Sequence, residues 1–394
     1  MCVKCRSMLD GDHDGRAGLS AEERLRYARH LLLPEVGVAG QEKLKRSRVA
    51  LVGAGGLGSP AALYLAAAGV GRLRIIDPDV VELSNLQRQV LHDDTWLGRR
   101  KTESALARLR AINPWVEVEE APVRLTAECA VSLLQDADVV VDGADNFDAR
   151  FAVNEACVAL DKPMVYASVF RFEGQLSVFW ASRGACYRCL YADPPPPEAA
   201  PSCAEAGVLG ALPGILGCLQ AMEVIKLLLG IGEPLINRLL LFDGLAMRFR
   251  ELELVKEPDC PGCGPRRRPV APTAGCAGAA NPAKDNETMN EITPIELKQR
   301  MDAGDDLLLL DVREPFELAV AVLPGVIPIP LAHVTARAGE LDPSREVVVL
   351  CRSGGRSAKA ILDLRQAGYR GPLVNLKGGM LAWSDTVDPR VPKY

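Results

Sequence analysis

The run Gly53-Ala54-Gly55-Gly56-Leu57-Gly58 stands between two stretches of opposite character and limits the fold more than any other feature of the chain. Before it, Arg48 to Gly53 is short, β-branched and ended by glycine, which reads as a buried strand. After it, Ala61 to Ala68 reads as a helix and Leu73 to Ile76 as a second strand ending in Asp77, so a βαβ unit is expected. The alternation continues with a helix at Lys101 to Ile112, a strand near Val116 to Val118, a helix at Ala127 to Leu134 and a strand at Val139 to Val141. Further strands are expected at Met164 to Tyr166, Gln175 to Phe179 and Leu239 to Phe242. The capping box Ser20-Ala21-Glu22-Glu23 opens a helix expected from about 20 to 32. The fold class is α/β, Rossmann-like, with a mixed, mainly parallel sheet.

The glycines have the G-x-G-x-x-G spacing, and Asp77 follows at the end of the next strand, which is formally a dinucleotide fingerprint. Glycines let the backbone approach a phosphate, and the start of the helix offers unpaired N–H groups. The plain alternative is a tight turn that holds nothing. Surrounding charge separates ATP from NAD. Ser84-Asn85-Leu86-Gln87-Arg88-Gln89 follows Asp77-Pro78-Asp79, Lys101 comes next, and Asp142-Gly143-Ala144-Asp145-Asn146 ends a later strand. In a parallel sheet these strand ends gather at one edge. Asn, Gln, Arg and Lys donors, with a carboxylate able to hold Mg2+, suit a nucleoside triphosphate attacked at phosphorus, where charge accumulates on the phosphoryl oxygens. A nicotinamide site needs no such clamp. Singly, Arg88 or Lys101 reads as a surface charge; together the set favours ATP.

The segments RYARHLLLPEVG, GAGGLGSP, SNLQRQ, INP, DGADN, EGQ, CYRCL, CAEAGVLG and CPGC occur in that order between about 20 and 264. Through them the chain resembles the MoeB/ThiF branch of the ubiquitin-activating enzyme superfamily. The resemblance implies a homodimeric adenylyltransferase acting on the C-terminal glycine of a ubiquitin-like sulfur-carrier protein that ends in Gly-Gly. It implies that Asp77 binds the ribose, that Asn85, Gln87, Arg88 and Lys101 handle the phosphates, that Asp145 organises Mg2+, and that Arg29 reaches the nucleotide of a partner subunit. Gly53, Gly55, Gly56 and Gly58, with Asp79, Ser84, Leu86 and Asn146, complete the expected nucleotide site.

Twelve cysteines need an account. The start of the chain has no apolar core of signal-peptide type, so a cytoplasmic protein is expected, whose thiols are metal ligands, reactive groups or core residues. The longest apolar stretch, Val208 to Leu219, is expected to be too short to cross a bilayer, so no membrane is expected. Cys186-Tyr187-Arg188-Cys189 and Cys260-Pro261-Gly262-Cys263 are two C-x-x-C hooks that read as one closed, structural Zn2+ site; four reduced thiols are the alternative. Cys2 and Cys5, with His13 nearby, form a hook without a second pair and read as incidental. A net charge of −5 argues against a protein that coats nucleic acid, and Arg266-Arg267-Arg268 lies in a Pro/Gly-rich stretch. No nucleic-acid partner is expected.

From Gly264 to about Asn286 the composition turns to Pro, Gly, Ala and Arg without hydrophobic periodicity. The expected organisation is therefore a tail at 1–19, a first domain at 20–264, a linker at 265–288 and a smaller α/β domain at 289–394. In the last, strands are expected at Leu307 to Asp311, Val347 to Leu350 and Pro372 to Asn375, with a helix at Ser357 to Ala367. The middle strand delivers Cys351-Arg352-Ser353-Gly354-Gly355-Arg356 directly into that helix. A cysteine there sits among backbone N–H groups beside two arginines, all of which stabilise a thiolate. A cysteine phosphatase would use C-x5-R; the spacing here is C-x4-R, a tighter ring better suited to one sulfur atom.

With Asp311-Val312-Arg313-Glu314-Pro315, Pro324-Gly325 and Lys377-Gly378-Gly379-Met380-Leu381-Ala382-Trp383, this loop resembles the rhodanese family. One departure is Ala321-Val322-Leu323, where many members have Gly-His-Ile. The family implies that Cys351 takes up sulfane sulfur as a persulfide and passes it on. Cys203, after the Pro-rich segment Asp193 to Pro201, is a second candidate on what reads as a crossover loop; the resemblance to activating enzymes implies a residue that can bond to the carrier or to a persulfide, and a loop cysteine without a role is the alternative.

The two domains combine into one expectation. The first activates a carboxylate as an acyl-adenylate, and the second carries a persulfide that attacks it, releasing AMP; reductive cleavage then leaves a thiocarboxylate. A flexible tether brings the second group to about millimolar effective concentration. The sulfur donor is expected to be a cysteine desulfurase or thiosulfate. Two other readings stand beside this one, an NAD-dependent oxidoreductase with an appended sulfur sensor and a non-enzymatic carrier-binding scaffold.

Overall fold

The computed structural model describes residues 18–194, 207–265 and 290–392. The chain divides into two compact units, Met1–Ala280 and Asn281–Tyr394. Of the segment expected to be a linker, only residue 265 lies among the described residues.

In the first unit, β1 (Arg48–Val52), β2 (Arg72–Ile76), β3 (Glu117–Ala121), β4 (Val139–Asp142) and β5 (Met164–Phe170) run parallel. They continue antiparallel into β6 (Glu173–Phe179), β7 (Arg238–Asp243) and β8 (Arg248–Glu253), in the order β3-β2-β1-β4-β5-β6-β7-β8. The chain winds outward from β1 to β3 and returns to place β4 on the other side of β1. Between β1 and β4 lies the switch point, where the carboxyl ends of the strands leave a crevice. β1 and β4 are buried almost throughout because helices cover both faces of the sheet.

Helices α4 (Gly58–Ala68), α5 (Lys101–Ile112) and α6 (Ala127–Leu134) fall where the hydrophobic pattern predicts them. The expected helix from 20 to 32 is two helices, α1 (Ala21–Arg26) and α2 (Ala28–Leu31). They part at Tyr27, which is buried, its hydroxyl oxygen accepting a 2.7 Å bond from Asn113 Nδ2. Three longer helices are not among those expected from the sequence, α3 (Gly37–Arg46), α7 (Phe147–Leu160) and α9 (Ala211–Leu229), and the short α8 (Tyr187–Leu190) precedes the last. α9 packs against α4 on one side and β5 and β6 on another, so apolar residues surround it and no single stripe shows. This corrects the expectation that the apolar stretch beginning near Val208 is short. It continues into a 19-residue helix of mean hydropathy 1.6, long and apolar enough to span a membrane by length and composition, and half buried inside this unit.

The second unit is a parallel five-stranded sheet ordered β11-β10-β12-β13-β9. Its strands are β9 (Glu291–Ile292), β10 (Leu307–Asp311), β11 (Val326–Pro328), β12 (Glu346–Leu350) and β13 (Leu373–Leu376). Helices α10 (Pro294–Ala303), α11 (Pro315–Val320), α12 (Gly355–Gln366) and α13 (Gly379–Thr386) complete it. The hydrophobic run of β12 is flanked on both sides by parallel strands, which places Cys351 at the centre of the sheet's carboxyl edge.

Candidate functional site

β1 ends at Val52, and Gly53 turns the chain with φ +92° while its N–H bonds the Ile76 carbonyl oxygen at 2.8 Å. At Gly58 a Cβ would lie 1.9 Å from the Gly53 carbonyl oxygen, so only glycine closes this turn onto the start of α4. Asp77 holds the turn from the next strand. Its carboxylate accepts from the Ala54 N–H at 2.8 Å and the Asp79 N–H at 2.9 Å. Burial pushes its carboxyl upward, against the pull of Lys101 and of those two N–H donors. His92, which the sequence reading did not single out, grips the same residue from the other side. Its Nε2 lies 3.0 Å from the Ala54 carbonyl oxygen and its Nδ1 2.9 Å from Ser104 Oγ on α5. Burial lowers its affinity for a second proton, and a neutral ring with its hydrogen on Nε2 satisfies both contacts.

Beside the turn is a cleft of about 420 Å3 lined by Pro78, Asp79, Val80, Glu82, Asn85, Arg88, Gln89, Lys101 and Asp145. Five of the expected site residues thus meet: Asp79 and Asn85 after β2, Arg88 further on, Lys101 at the start of α5, and Asp145 after β4. Lys101 is buried, with Nζ 3.0 Å from Asp79 Oδ2. Asn85 is buried in the turn Leu83–Asn85, where its Oδ1 accepts from the Glu82 N–H at 3.2 Å. Arg88 donates to the Ser84 carbonyl oxygen at 2.9 Å. Gln89, whose Oε1 is buried without a partner, places Nε2 3.7 Å from where a Cβ on Gly55 would stand. Gly53, Gly55, Gly56, Gly58 and Asp77 belong to the neighbouring turn and not to the lining; Ser84, Leu86, Gln87, Asn146 and Arg29 do not line this cleft either, and Arg29 is exposed on α2. A second cleft, of about 340 Å3, lies among Arg46, Asp138, Pro163 and Trp180 at the opposite end of the strands and shares no residue with it.

Asp145 owes its place to buried charge. Asp142 and Arg150 pair at 3.0 Å out of solvent, and the Arg150 guanidinium also donates to the Ala144 carbonyl oxygen at 2.7 Å. Gln220 of α9 donates to the Asp142 carbonyl oxygen at 2.8 Å. The loop from 142 to 146 is thereby pinned from two helices.

The two C-x-x-C hooks meet. Cys186 and Cys260 place their sulfurs 3.6 Å apart, as do Cys189 and Cys263, and all four sulfurs lie within 4.8 Å of one another. A tetrahedron of Zn–S bonds of about 2.3 Å needs sulfurs about 3.8 Å apart, so the four residues fit that ion. Without a cation between them the thiols cannot ionise together: the contact between Cys186 and Cys189 drives the first upward and the second downward.

In the second unit Cys351 is fully buried, and the Gly354 N–H donates to its Sγ at 3.1 Å. The Gly378-Gly379 pair closes over the loop; a Cβ on Gly379 would lie 2.4 Å from the Cys351 carbonyl oxygen. One expectation changes here. Arg356 does not spend its charge on the sulfur alone, because Nη1 and Nη2 each bond Glu317 of α11 at 2.6 Å. Among the described residues, Cys129, Cys157 and Cys218 join neither constellation, while Cys203, Cys2, Cys5 and Cys276 lie outside the described residues.

The model of the ThiF family matches residues 27–262. The chain belongs to the ThiF family. Its second unit matches the rhodanese-like domain over residues 293–386. The probable adenylyltransferase/sulfurtransferase MoeZ of Mycobacterium tuberculosis is 43% identical over 384 residues, 96% of this chain and 97% of that protein. The adenylyltransferase and sulfurtransferase MOCS3 of Sus scrofa is 41% identical over 406 residues, covering 96% of this chain and 89% of that protein. Among solved structures, Escherichia coli MccB with MccA-N7isoASN superposes with a TM-score of 0.55 at 25% identity, covering 61% of this chain and 75% of that one. This ThiF chain with its rhodanese domain is an adenylyltransferase and sulfurtransferase enzyme that uses ATP. The oxidoreductase and scaffold readings of its glycine turn are set aside by these matches.

Proposed function

We propose that the ThiF unit adenylates the C-terminal glycine of a ubiquitin-like sulfur-carrier protein, and that Cys351 then supplies the sulfur as a persulfide. The observation that carries this reading is the cleft at the β1/β4 switch point, where Asn85, Arg88, Lys101 and Asp145 converge from separate segments. The nucleotide phosphates lie along the glycine turn, with Arg88 and Lys101 on their oxygens, and Lys101 exchanges Asp79 for phosphate as ATP enters. Asp145 is the carboxylate to hold Mg2+. Asp77, both of whose oxygens already accept backbone N–H bonds, keeps lone pairs for a ribose hydroxyl. Arg29 serves the nucleotide of a second subunit in a homodimer. Cys186, Cys189, Cys260 and Cys263 hold a structural Zn2+ that fastens the end of the unit to its middle.

In the first step a carboxylate oxygen of the carrier bonds to the α-phosphorus and the bond to pyrophosphate breaks. Positive groups facing the phosphoryl oxygens stabilise the charge that gathers there. In the second, the terminal sulfur of the Cys351 persulfide bonds to the acyl carbon, and AMP leaves with the electron pair of the acyl–oxygen bond. The acyl disulfide is then split by a thiol, Cys203 or an external one, which forms a disulfide with the Cys351 sulfur and releases the thiocarboxylate. The donor that loads Cys351 is a cysteine desulfurase or thiosulfate.

Carrier-dependent exchange between ATP and pyrophosphate tests the first step, and thiocarboxylate formation the second. The reading expects Cys351→Ala to retain exchange and lose sulfur transfer. Loss of both activities together in that variant, with the fold intact, overturns the division of labour.

A further inference from the structure

A hydrogen-bond chain runs from the Cys351 sulfur to the surface of the rhodanese unit, and the steps above do not use it. Ser357 Oγ lies 3.3 Å from Cys351 Sγ, 2.7 Å from Asn375 Oδ1 and 3.0 Å from the Gly354 carbonyl oxygen. Asn375 Nδ2 donates to Glu291 Oε1 at 3.2 Å, and Glu291 Oε2 lies 3.3 Å from Lys377 Nζ. Glu291 and Asn375 are register neighbours on the parallel strands β9 and β13. Cys351, Ser357 and Asn375 are buried, whereas the Glu291 side chain is 40% exposed.

A hydroxyl carries one hydrogen, and a carboxylate only accepts. Facing Glu291, the Asn375 amide must therefore present its NH2 group, which leaves its oxygen toward Ser357. The one Ser357 hydrogen has two acceptors, the Asn375 oxygen at 2.7 Å and the Gly354 carbonyl oxygen at 3.0 Å, and it goes to the nearer, Asn375. What Ser357 then offers the sulfur is a lone pair, a partner for S–H and not for a thiolate. The Gly354 N–H, donating from the other side at 3.1 Å, favours the thiolate. The sulfur is held between two partners that prefer opposite protonation states.

We propose that Ser357, Asn375 and Glu291 are positioning residues for Cys351. The carboxylate of Glu291, acting through the amide, withholds the Ser357 hydrogen from the sulfur, and inversion of the Asn375 amide hands it over. After inversion Nδ2 donates to Ser357 Oγ, the hydroxyl hydrogen turns to the charged thiolate in preference to the neutral Gly354 carbonyl oxygen, and Glu291 is left to Lys377. The thiol proton passes to solvent, and nothing but hydrogen bonds is exchanged within the protein. The other charges around the loop are Arg352 and Arg356 on it, Glu317 of α11 paired with Arg356, the Asp311–Arg313 pair at the end of β10, and Lys377. The inference rests on Cys351 as the sulfur carrier, but its test reads the reactivity of the thiol and not the transfer.

Iodoacetamide alkylation of the full-length protein, followed across pH by mass spectrometry of the Cys351 peptide, tests it. Ser357→Ala and Glu291→Gln are each expected to move the profile to lower pH, with Cys351 alkylated about three to ten times faster below the wild-type midpoint. In the Ser357→Ala background, Glu291→Gln is expected to add nothing, since the chain is already cut. A shift to higher pH in Ser357→Ala would show the hydroxyl donating to the thiolate and overturn the proposal. So would a Glu291→Gln shift that persists in full without Ser357, which would be a direct field effect. Lys377→Gln, which leaves Glu291 only the amide to hold, is expected to move the profile toward higher pH and by much less than Glu291→Gln moves it. Because Glu291 is exposed, its variant, together with Lys377→Gln, decides the matter even where Ser357→Ala fails to fold. There, an unmoved Glu291→Gln profile, or equal and opposite shifts in the two, overturns the relay.

Discussion

Arg356 and Glu317 form a two-pronged ion pair, two guanidinium nitrogens bonding the carboxylate at 2.6 Å, so one of the two arginines on the sulfur loop is paired with the helix beside it. Glu317→Gln leaves Arg356 its full charge at the mouth of the loop. Transfer from thiosulfate, a dianion, is expected to rise about threefold or more, measured as the rate of Cys351 persulfide formation at low salt, where attraction of anions is strongest.

The same pair sets an acid limit on the rhodanese unit. Burial alone would raise the Glu317 carboxyl, but the Arg356 hydrogen bonds, the Glu314 N–H and the nearby arginines outweigh it and hold it below its ordinary value of 4.5. A carboxyl lowered on folding adds stability above its unfolded value, and that stability is lost as pH falls through the folded one. Hydrogen-exchange protection factors of residues 290–392 in the full chain, which take out the intrinsic pH dependence of amide exchange, are expected to hold above about pH 4.5 and to fall below it, with a shallower acid dependence in Glu317→Gln.

Arg150→Met strands Asp142 as an unpaired charge in the sheet and frees the Ala144 carbonyl oxygen. Breaking a buried pair from one side costs about 3–5 kcal/mol. Urea unfolding of the first unit is expected to show a loss of that order, and exchange between ATP and pyrophosphate to fall as Asp145 loses its anchor.

Cys260→Ser removes one of four sulfurs from a site whose geometry suits Zn2+. Metal analysis is expected to fall from about one zinc per chain to well below it, with a lower melting temperature, since structural zinc in small peptides contributes about 10–16 kcal/mol. An unchanged zinc content would sink the assignment.

Lys101→Ala takes the buried cation from the cleft. Adenylation is expected to drop about 100- to 1000-fold, the range seen when one charge-stabilising donor is removed from a reacting centre. Transfer of sulfur onto Cys351 should be unaffected, because no part of the sulfur loop lies in that unit.

Much of this protein was legible without coordinates because its signals are short-range. A glycine spacing, two C-x-x-C hooks and a cysteine placed between a β-branched run and a helix each depend on residues a few positions apart, and backbone hydrogen bonding enforces them locally. The helices α5 and α6 show for the same reason, since each has one apolar face to reveal, and α4 shows as an unbroken run of small and apolar residues after the glycine turn. α9 did not show its extent, because a helix packed on several sides has no polar face to give it a period. The bonds that decide chemistry are of the long-range kind. Asp77 reaches back to Ala54, Arg356 across to Glu317, and Ser357 through Asn375 to Glu291, over separations of 23, 39, 18 and 84 residues. Composition and spacing name the donors and acceptors, but strand order and register decide which of them meet, and a charge that looks free in the sequence is spoken for once the sheet closes.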